Sequence, residues 1–400
     1  MDKYRVSTVD GIRGFSLLGI LLANMLIFQY GIFGKDEINF YSLSTADLGV
    51  YKAVKVLIEG SFMPIFTFLF GYSMIKMKES LERKGVKIKR YFVRRFLFLF
   101  VLGLLHGHFL WEGDILSFYG LMGFFLLLFL NRKKKTLMVW GIILLVLTSF
   151  MGYGHMEETA KEKEKMAHYI EQTKKVYGSG SYAEIKEHRL NEDPLDLPDE
   201  FYLFIFLFLP FMSAPLFLFG MYAAKVNWFA NPIKERSLYV KGIFLFIPIS
   251  LVLKLMPYLA PKNDWVGVSD MLGKNLLSLG YIFLFAYFYT KSSKWMLRRV
   301  FENIGKLSLT NYLMQTVICT SIFYGYGLGQ FGKMGMILSV ILAIVIYAVQ
   351  AVASHYYLRR FSRGPVETLL RMWTNFSWDG CVRVKEVLTV KEVSSKVEGL

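Results

Sequence analysis

The most chemically dense stretch of this 400-residue chain is His106-Gly-His108-Phe-Leu-Trp111-Glu112-Gly-Asp114. An imidazole moves protons well once one ring nitrogen has a partner that sets its tautomer. Asp114, placed after Gly113, can fold back onto His106 as that partner, or simply cap the helix that follows. His108 lies two residues from His106, so on a helix the rings point roughly 200° apart. They make a poor metal pair, and no metal site is expected. Glu112 and His108 are candidate path-lining residues.

Three other groups place polar side chains in apolar surroundings, where each is costly and so points to function. Asp10-Gly-Ile-Arg13-Gly14 opens the first apolar segment. Asp10 is expected to cap that helix and pair with Arg13 at i+3, leaving Arg13 near any anionic ligand. Asn24 lies further in. Ser308, Asn311 and Gln315 recur at i, i+3 and i+7 on one helix face, with Tyr312 beside them. That stripe either glues helices together or lines a substrate path. In Arg363-Gly364-Pro365-Val-Glu367 with Arg371, Pro365 suits the first turn of a membrane-surface helix, and Glu367/Arg371 has i,i+4 spacing. Arg94 and Arg95, with the run from Arg132 to Lys135, are basic clusters fit for anionic lipid or for the phosphates of an acyl-coenzyme A. Lys254 and Lys274, near Asp270, are expected to snorkel.

The elements that must position these groups follow from composition. Apolar residues make up 54% of the chain, aromatics 17% and charged residues only 20%. The apolar excess comes in long blocks, which excludes a cytoplasmic enzyme, a disulfide-stapled secreted domain and a disordered chain. A bilayer core needs roughly 20 apolar residues per helix. Ten segments qualify or nearly so: Gly11–Tyr30, Phe62–Ile75, Phe96–Trp111, Ile115–Leu130, Leu137–Gly152, Phe201–Ala224, Leu238–Leu259, Val268–Tyr289, Leu307–Tyr326 and Met334–Leu358. Strands are excluded, because the runs are continuous and a lipid-facing sheet edge cannot be left unpaired. The stretch before the second segment is amphipathic, and Pro64 is expected to kink the join.

The net charge of +16 is an orientation signal rather than a nucleic-acid one. Most of the 47 Lys and Arg residues fall in alternate loops, nine of them between Lys76 and Arg95. The positive-inside rule then puts both termini in the cytoplasm. The expected fold is an all-α polytopic membrane bundle of about ten transmembrane helices in the bacterial cytoplasmic membrane. Residues 1–153 form a first five-helix half, 154–200 an external soluble insertion, 201–358 a second five-helix half, and 359–400 an interfacial helix and tail. The insertion carries 7 basic and 12 acidic residues. It reads as a helical hairpin, with Glu157/Lys161 and Glu171/Lys175 pairs and a capping box at Ser181-Tyr-Ala-Glu184. The tail's last fifteen residues read as loosely ordered. Cys319 and Cys381 are not placed to form a structural disulfide, the first apolar segment lacks a small-x-small cleavage site, and no internal repeat is found.

Together these motifs resemble the YeiB-type family of bacterial inner-membrane proteins, a domain of unknown function. The matching pieces are Val9-Asp10-Gly-Ile-Arg13-Gly14 with Asn24, Phe66-Thr-Phe-Leu-Phe-Gly71, Gly103-Leu-Leu-His106-Gly with Gly113-Asp114-Ile-Leu, Leu309-Thr310-Asn311-Tyr312 and Arg363-Gly-Pro-Val-Glu367. The Asp-x-x-Arg-Gly opening is similar to that of transmembrane acyltransferases of the heparan-glucosaminide acetyltransferase type. That resemblance implies acyl-coenzyme A as co-substrate and an extracytoplasmic or lipid-linked acceptor. Those enzymes carry a catalytic histidine ahead of the second span. Here no histidine precedes His106, and Glu59 stands in that region. Either the base has moved to His106 or the chemistry is absent. The acyl-transfer reading makes His106 the base and Asp114 its orienting partner. Asn311 and Gln315 are then oxyanion donors, and Asp10, Arg13, Arg94 and Arg95 the donor-binding group. A transporter with a His106/Asp114 proton relay, and a non-catalytic sensor using the hairpin, are the other readings.

Overall fold

The computed structural model describes residues 6–154, 159–291 and 296–382. Glu157, and with it the Glu157/Lys161 pair, lies outside the described residues, as do the last fifteen residues. Among the described residues the chain is α-helical, with one short 3-10 turn and no strand. The first half holds α1 (Ser7–Tyr30), α2 (Thr45–Leu57), α3 (Met63–Arg83), α4 (Ile88–Phe109), α5 (Leu116–Leu126) and α6 (Lys134–Phe150). The hairpin is α7 (Ala160–Ser179) and α8 (Tyr182–Asn191). There follow α9 (Asp199–Lys225), α10 (Arg236–Leu259), α11 (Val266–Lys291), α12 (Met296–Lys306), α13 (Ser308–Phe323), α14 (Met336–Arg360) and α15 (Pro365–Asn375).

Each of the ten apolar segments coincides with a helix. Among the described residues, six helices are long and apolar enough to cross a membrane: α1, α4, α9, α10, α11 and α14. Their outward faces carry large apolar side chains, such as Phe244 on α10 at 76% exposed and Val349 on α14 at 61%. Ridges of this kind are stable in hydrocarbon and not in water, so the chain is a membrane protein. Pro64 falls in the first turn of α3. It therefore starts a helix separate from α2 rather than kinking one continuous helix, because a first-turn proline sacrifices no intrahelical hydrogen bond.

The two halves share their packing. One core cluster joins Ile65 and Phe68 of α3 to Phe217 and Met221 of α9 and Phe283 of α11. Glycines set the closest crossings. A Cβ on Gly71 would lie 2.0 Å from the Phe217 carbonyl oxygen, and one on Gly220 would lie 1.9 Å from that of Phe68. The helices α3 and α9 thus pack backbone against backbone, which explains the glycine closing the Phe66–Gly71 motif. In the same way α1 crosses α12, with Gly14 against Phe301 and Gly305 against the Asp10 carbonyl.

One end of the bundle gathers the start of α1, the α3–α4 turn and α15, together with most of the arginines the sequence singled out. The opposite end carries the hairpin. Both hairpin helices begin with a capping box, at Thr159/Glu162 and at Ser181/Glu184, which satisfies the first free N–H groups of each helix. Tyr182 donates to the Phe109 carbonyl at 2.7 Å, and Arg189 to the His108 carbonyl at 2.8 Å. The hairpin is therefore fastened over the α4–α5 turn. Lys254 does not snorkel. It is 2% exposed and donates inward to the Glu59 carbonyl at 2.8 Å and Ser61 Oγ at 2.9 Å. A buried ammonium needs such acceptors, and the α2–α3 turn supplies them. Lys274 pairs with Asp270.

Candidate functional site

The end of α4 and the start of α5 bring His106 and Asp114 together. Leu110 and Trp111 turn the chain back, both donating to the His106 carbonyl. A Cβ on Gly103 would lie 1.9 Å from the Ser117 nitrogen, so only glycine lets α5 begin this close to α4. His106 Nδ1 is 2.9 Å from Asp114 Oδ1. The same carboxylate accepts from the Leu116 and Ser117 backbone N–H groups at 3.1 and 2.9 Å, and from Ser117 Oγ at 2.8 Å. Asp114 thus performs both of the roles its sequence position allowed. It caps α5 and orients His106.

An acceptor at Nδ1 puts the imidazole proton there, which leaves Nε2 as an acceptor. Thr316 Oγ1 of α13 lies 3.1 Å from Nε2. A hydroxyl, an imidazole and a carboxylate therefore stand in hydrogen-bonded series in a buried site. His106 is 3% exposed and Thr316 1%. Sequence reasoning stopped the polar stripe at Gln315. The missed signal was the next residue, since Thr316 continues the Ser308–Tyr312 row at i+4.

The rest of the stripe faces elsewhere. Gln315 Nε2 donates to Gln350 Oε1 at 2.9 Å, and Asn311 Nδ2 donates to Ser354 Oγ at 3.1 Å. Both partners are on α14, so these amides join α13 to α14 and are not brought to His106. Tyr312 is brought there. Its ring centroid is 5.4 Å from that of His106, and its hydroxyl donates to the Gly113 carbonyl at 3.3 Å. His108 is exposed on the far side of α4, as the 200° separation requires. Glu112 lies under the hairpin, accepting from Tyr177 Oη at 3.2 Å with Arg189 at 3.5 Å. Burial pushes its carboxyl above the usual range, against the pull of Arg189. Asn24 is half-buried on α1.

At the basic end, Arg13 pairs with Asp10 at 3.1 Å and donates to Ser73 Oγ at 3.1 Å. Asp10 does not cap α1, which begins at Ser7 with no side-chain cap. It sits inside the first turn, where a carboxylate still suits the helix dipole. Two cavities open here and share Arg95, Arg363, Glu367 and Leu370. The larger, of about 1180 Å³, is lined by cations that include Lys76, Arg83, Arg298 and Arg371. The smaller, of about 240 Å³, begins among Arg13, Arg95, Lys306, Ser308 and Arg363. Its walls continue with Leu17, Phe70, Leu99 and Tyr119 and take in Leu116 and Tyr312. Arg94 points away from both, its guanidinium 4.7 Å from the Phe376 ring centroid.

The Arg-Gly-Pro-x-Glu motif shapes this entrance. Pro365 opens α15 and Gly364 precedes it. Glu367 does not pair with Arg371. Its carboxylate accepts instead from the Leu309 and Thr310 backbone N–H groups at the start of α13. Arg371 donates to the Gly380 carbonyl at 2.6 Å. Uncapped N–H groups at a helix N-terminus bind a carboxylate better than a solvent-facing arginine does.

The chain is similar to several bacterial proteins along nearly its whole length. It is 33% identical to the uncharacterized protein YxaH of Bacillus subtilis, over 97% of this chain and 98% of that one. The model of a protein of unknown function, DUF418, matches residues 223–377. The chain belongs to this family. It is also similar to the uncharacterized protein YeiB of Escherichia coli, 26% identical over 92% of this chain and 95% of that one. No solved structure matches. The DUF418 match takes in Thr316, the α13 stripe and Glu367, whereas His106 and Asp114 lie before it.

Proposed function

We propose that this chain is a multi-pass acyltransferase of the bacterial cytoplasmic membrane. It takes an acyl group from acyl-coenzyme A at the cytoplasmic face and passes it to a hydroxyl or amine on an extracytoplasmic or lipid-linked acceptor. In this reading all ten apolar helices cross the bilayer, and both termini face the cytoplasm with the arginine-rich end.

One observation carries the reading. An apolar cavity runs from Arg13, Arg95, Lys306 and Arg363 to Tyr312, which touches the ring pair at His106. A cationic mouth suits phosphates, by charge-assisted hydrogen bonds. Apolar walls suit the donor's arm and acyl chain. His106 would act as base with Asp114 holding its tautomer. Asn311 and Gln315 donate to α14, so the Tyr312 hydroxyl, released from Gly113, is left to meet a developing oxyanion.

The test is turnover of acetyl- and long-chain acyl-coenzyme A by the purified full-length protein, with bacterial lipid extract as acceptor. Wild type should release free coenzyme A, His106→Ala should not, and Arg95→Ala should raise KM. A wild type that consumes neither donor overturns the reading. A proton-coupled transporter is favoured by one feature, the second buried polar group that Glu112, Tyr177 and Arg189 form above His106. Its signature would be uptake in proteoliposomes that is lost in Asp114→Asn.

A further inference from the structure

We infer that Thr316 is the nucleophile of this site and carries the acyl group as an ester between two half-reactions. The inference rests on the acyl-transfer reading and adds to it the covalent intermediate.

Geometry comes first. Thr316 Oγ1 lies 3.1 Å from His106 Nε2, and His106 Nδ1 lies 2.9 Å from Asp114 Oδ1. A nucleophile within hydrogen-bond reach of a base, and a base held by a third group, is the arrangement that activates a weakly acidic hydroxyl. The rest of the site fixes this arrangement. Asp114 is tied to the α5 N-terminus by Leu116 and Ser117, so its carboxylate is fixed and the imidazole cannot turn over without losing that partner. The other acceptor near the Thr316 hydroxyl, the Tyr312 carbonyl, is further away at 3.5 Å.

The position is right for a two-sided reaction. The smaller cavity ends at Tyr312, and Thr316 stands one turn further along α13, about 6 Å by helix rise. The hairpin covers the other end of the site, through Tyr182 on the Phe109 carbonyl and Arg189 on the His108 carbonyl. In this proposal the donor arrives along the cavity and the acceptor from the hairpin end, so the two meet Thr316 from opposite directions. Tyr312 stands between cavity and triad, buried, with its hydroxyl held by the Gly113 carbonyl at 3.3 Å and by the Ile115 backbone. An acyl group parked on the protein removes the need for donor and acceptor to be bound at once.

The chemistry balances without a further reactant. In the first half-reaction, Thr316 Oγ1 bonds to the thioester carbonyl carbon and the carbon–sulfur bond breaks. The hydroxyl proton passes to His106 Nε2 and then to the departing coenzyme A sulfur. In the second, the acceptor oxygen or nitrogen attacks the Thr316 ester carbon. Its proton goes to His106 and on to Thr316 Oγ1, restoring the hydroxyl.

The experiment uses the full-length protein in detergent. Labelled coenzyme A is mixed with unlabelled acetyl-coenzyme A and no acceptor. An acyl-enzyme requires label to appear in acetyl-coenzyme A, and quenched peptides should carry the acetyl group on Thr316. Thr316→Val, close in shape, should abolish exchange and lower kcat by about 10³-fold with KM for the donor little changed. Thr316→Ser should keep exchange, which separates chemistry from folding. Turnover with acceptor but no exchange and no adduct overturns Thr316 and leaves the acyl-transfer reading standing. So does Thr316→Val turning over within threefold of wild type. A protein that consumes no acyl-coenzyme A overturns both.

Discussion

Glu367 and Thr310, 57 residues apart, are joined at 2.6 Å by a hydrogen bond from Thr310 Oγ1 to Glu367 Oε2. With the two backbone bonds to Glu367 Oε1, this contact closes the N-terminus of α13, the helix that carries Thr316. Gly364 leaves the space for it, since a Cβ there would lie 2.0 Å from Oε2. Glu367→Ala should therefore destabilise the protein by about 2 kcal/mol, the scale of a lost charged cap. Glu367→Gln should cost roughly half as much, because the acceptor stays and the charge goes. Thermal unfolding in detergent measures both. An alanine variant as stable as wild type would show that the cap carries no weight.

Asp114→Asn should separate orientation from folding. The asparagine oxygen can still accept from the Ser117 N–H and hydroxyl, and only Leu116 N–H loses its acceptor, so the unfolding temperature should fall by no more than one capping bond allows. Its amide, however, would face His106 Nδ1 and force the proton to Nε2. That nitrogen could then no longer accept from Thr316. Donor turnover should fall by about 10²–10⁴-fold. Equal losses of activity and of folded protein would place Asp114 in the fold alone.

The crossing of α1 over α12 should tolerate no added carbon. A Cβ on Gly305 would sit 1.8 Å from the Asp10 carbonyl oxygen, and one on Gly14 would sit 2.0 Å from that of Phe301. Both obstacles are backbone and cannot rotate aside. Gly305→Ala should cost about 1–3 kcal/mol, and it should disturb Arg13 through the displaced Asp10 turn. The expected readouts are a lower unfolding temperature and weaker donor binding. Unchanged values for both would mean that α12 moves freely on α1.

The hairpin should loosen on acidification. His188 is buried with its Nε2 2.8 Å from Thr173 Oγ1, and its ring lies against Tyr169. Burial holds its pKa below the usual value near 6.5, with Glu192 pulling the other way. A depressed histidine contributes stability that is present above its unfolded pKa. That stability is lost as pH falls through 6.5 towards the folded value. Hydrogen-exchange protection of α7 and α8, corrected for intrinsic rates, should therefore drop between about pH 7.5 and pH 5.5. His188→Phe should flatten the change. A drop that persists in that variant would point to another group.

The sequence alone was enough for the helices and for the local pair. In lipid a chain must satisfy its own backbone hydrogen bonds, so every long apolar run had to be helical, and each is. His106 and Asp114 were legible together because eight residues and one turn separate them. Their meeting depends on local geometry that glycine and capping residues announce. Only the tertiary structure decided how each helix is rotated and what faces it. It turned Asn311 and Gln315 towards α14, sent Glu367 to α13 instead of to Arg371, and drew Lys254 inward to the Glu59 carbonyl. It also set Thr316 against His106 across 210 residues. A periodic pattern shows which residues share a face. The neighbour across that face is chosen by packing along the whole bundle, down to the glycines that let two backbones touch.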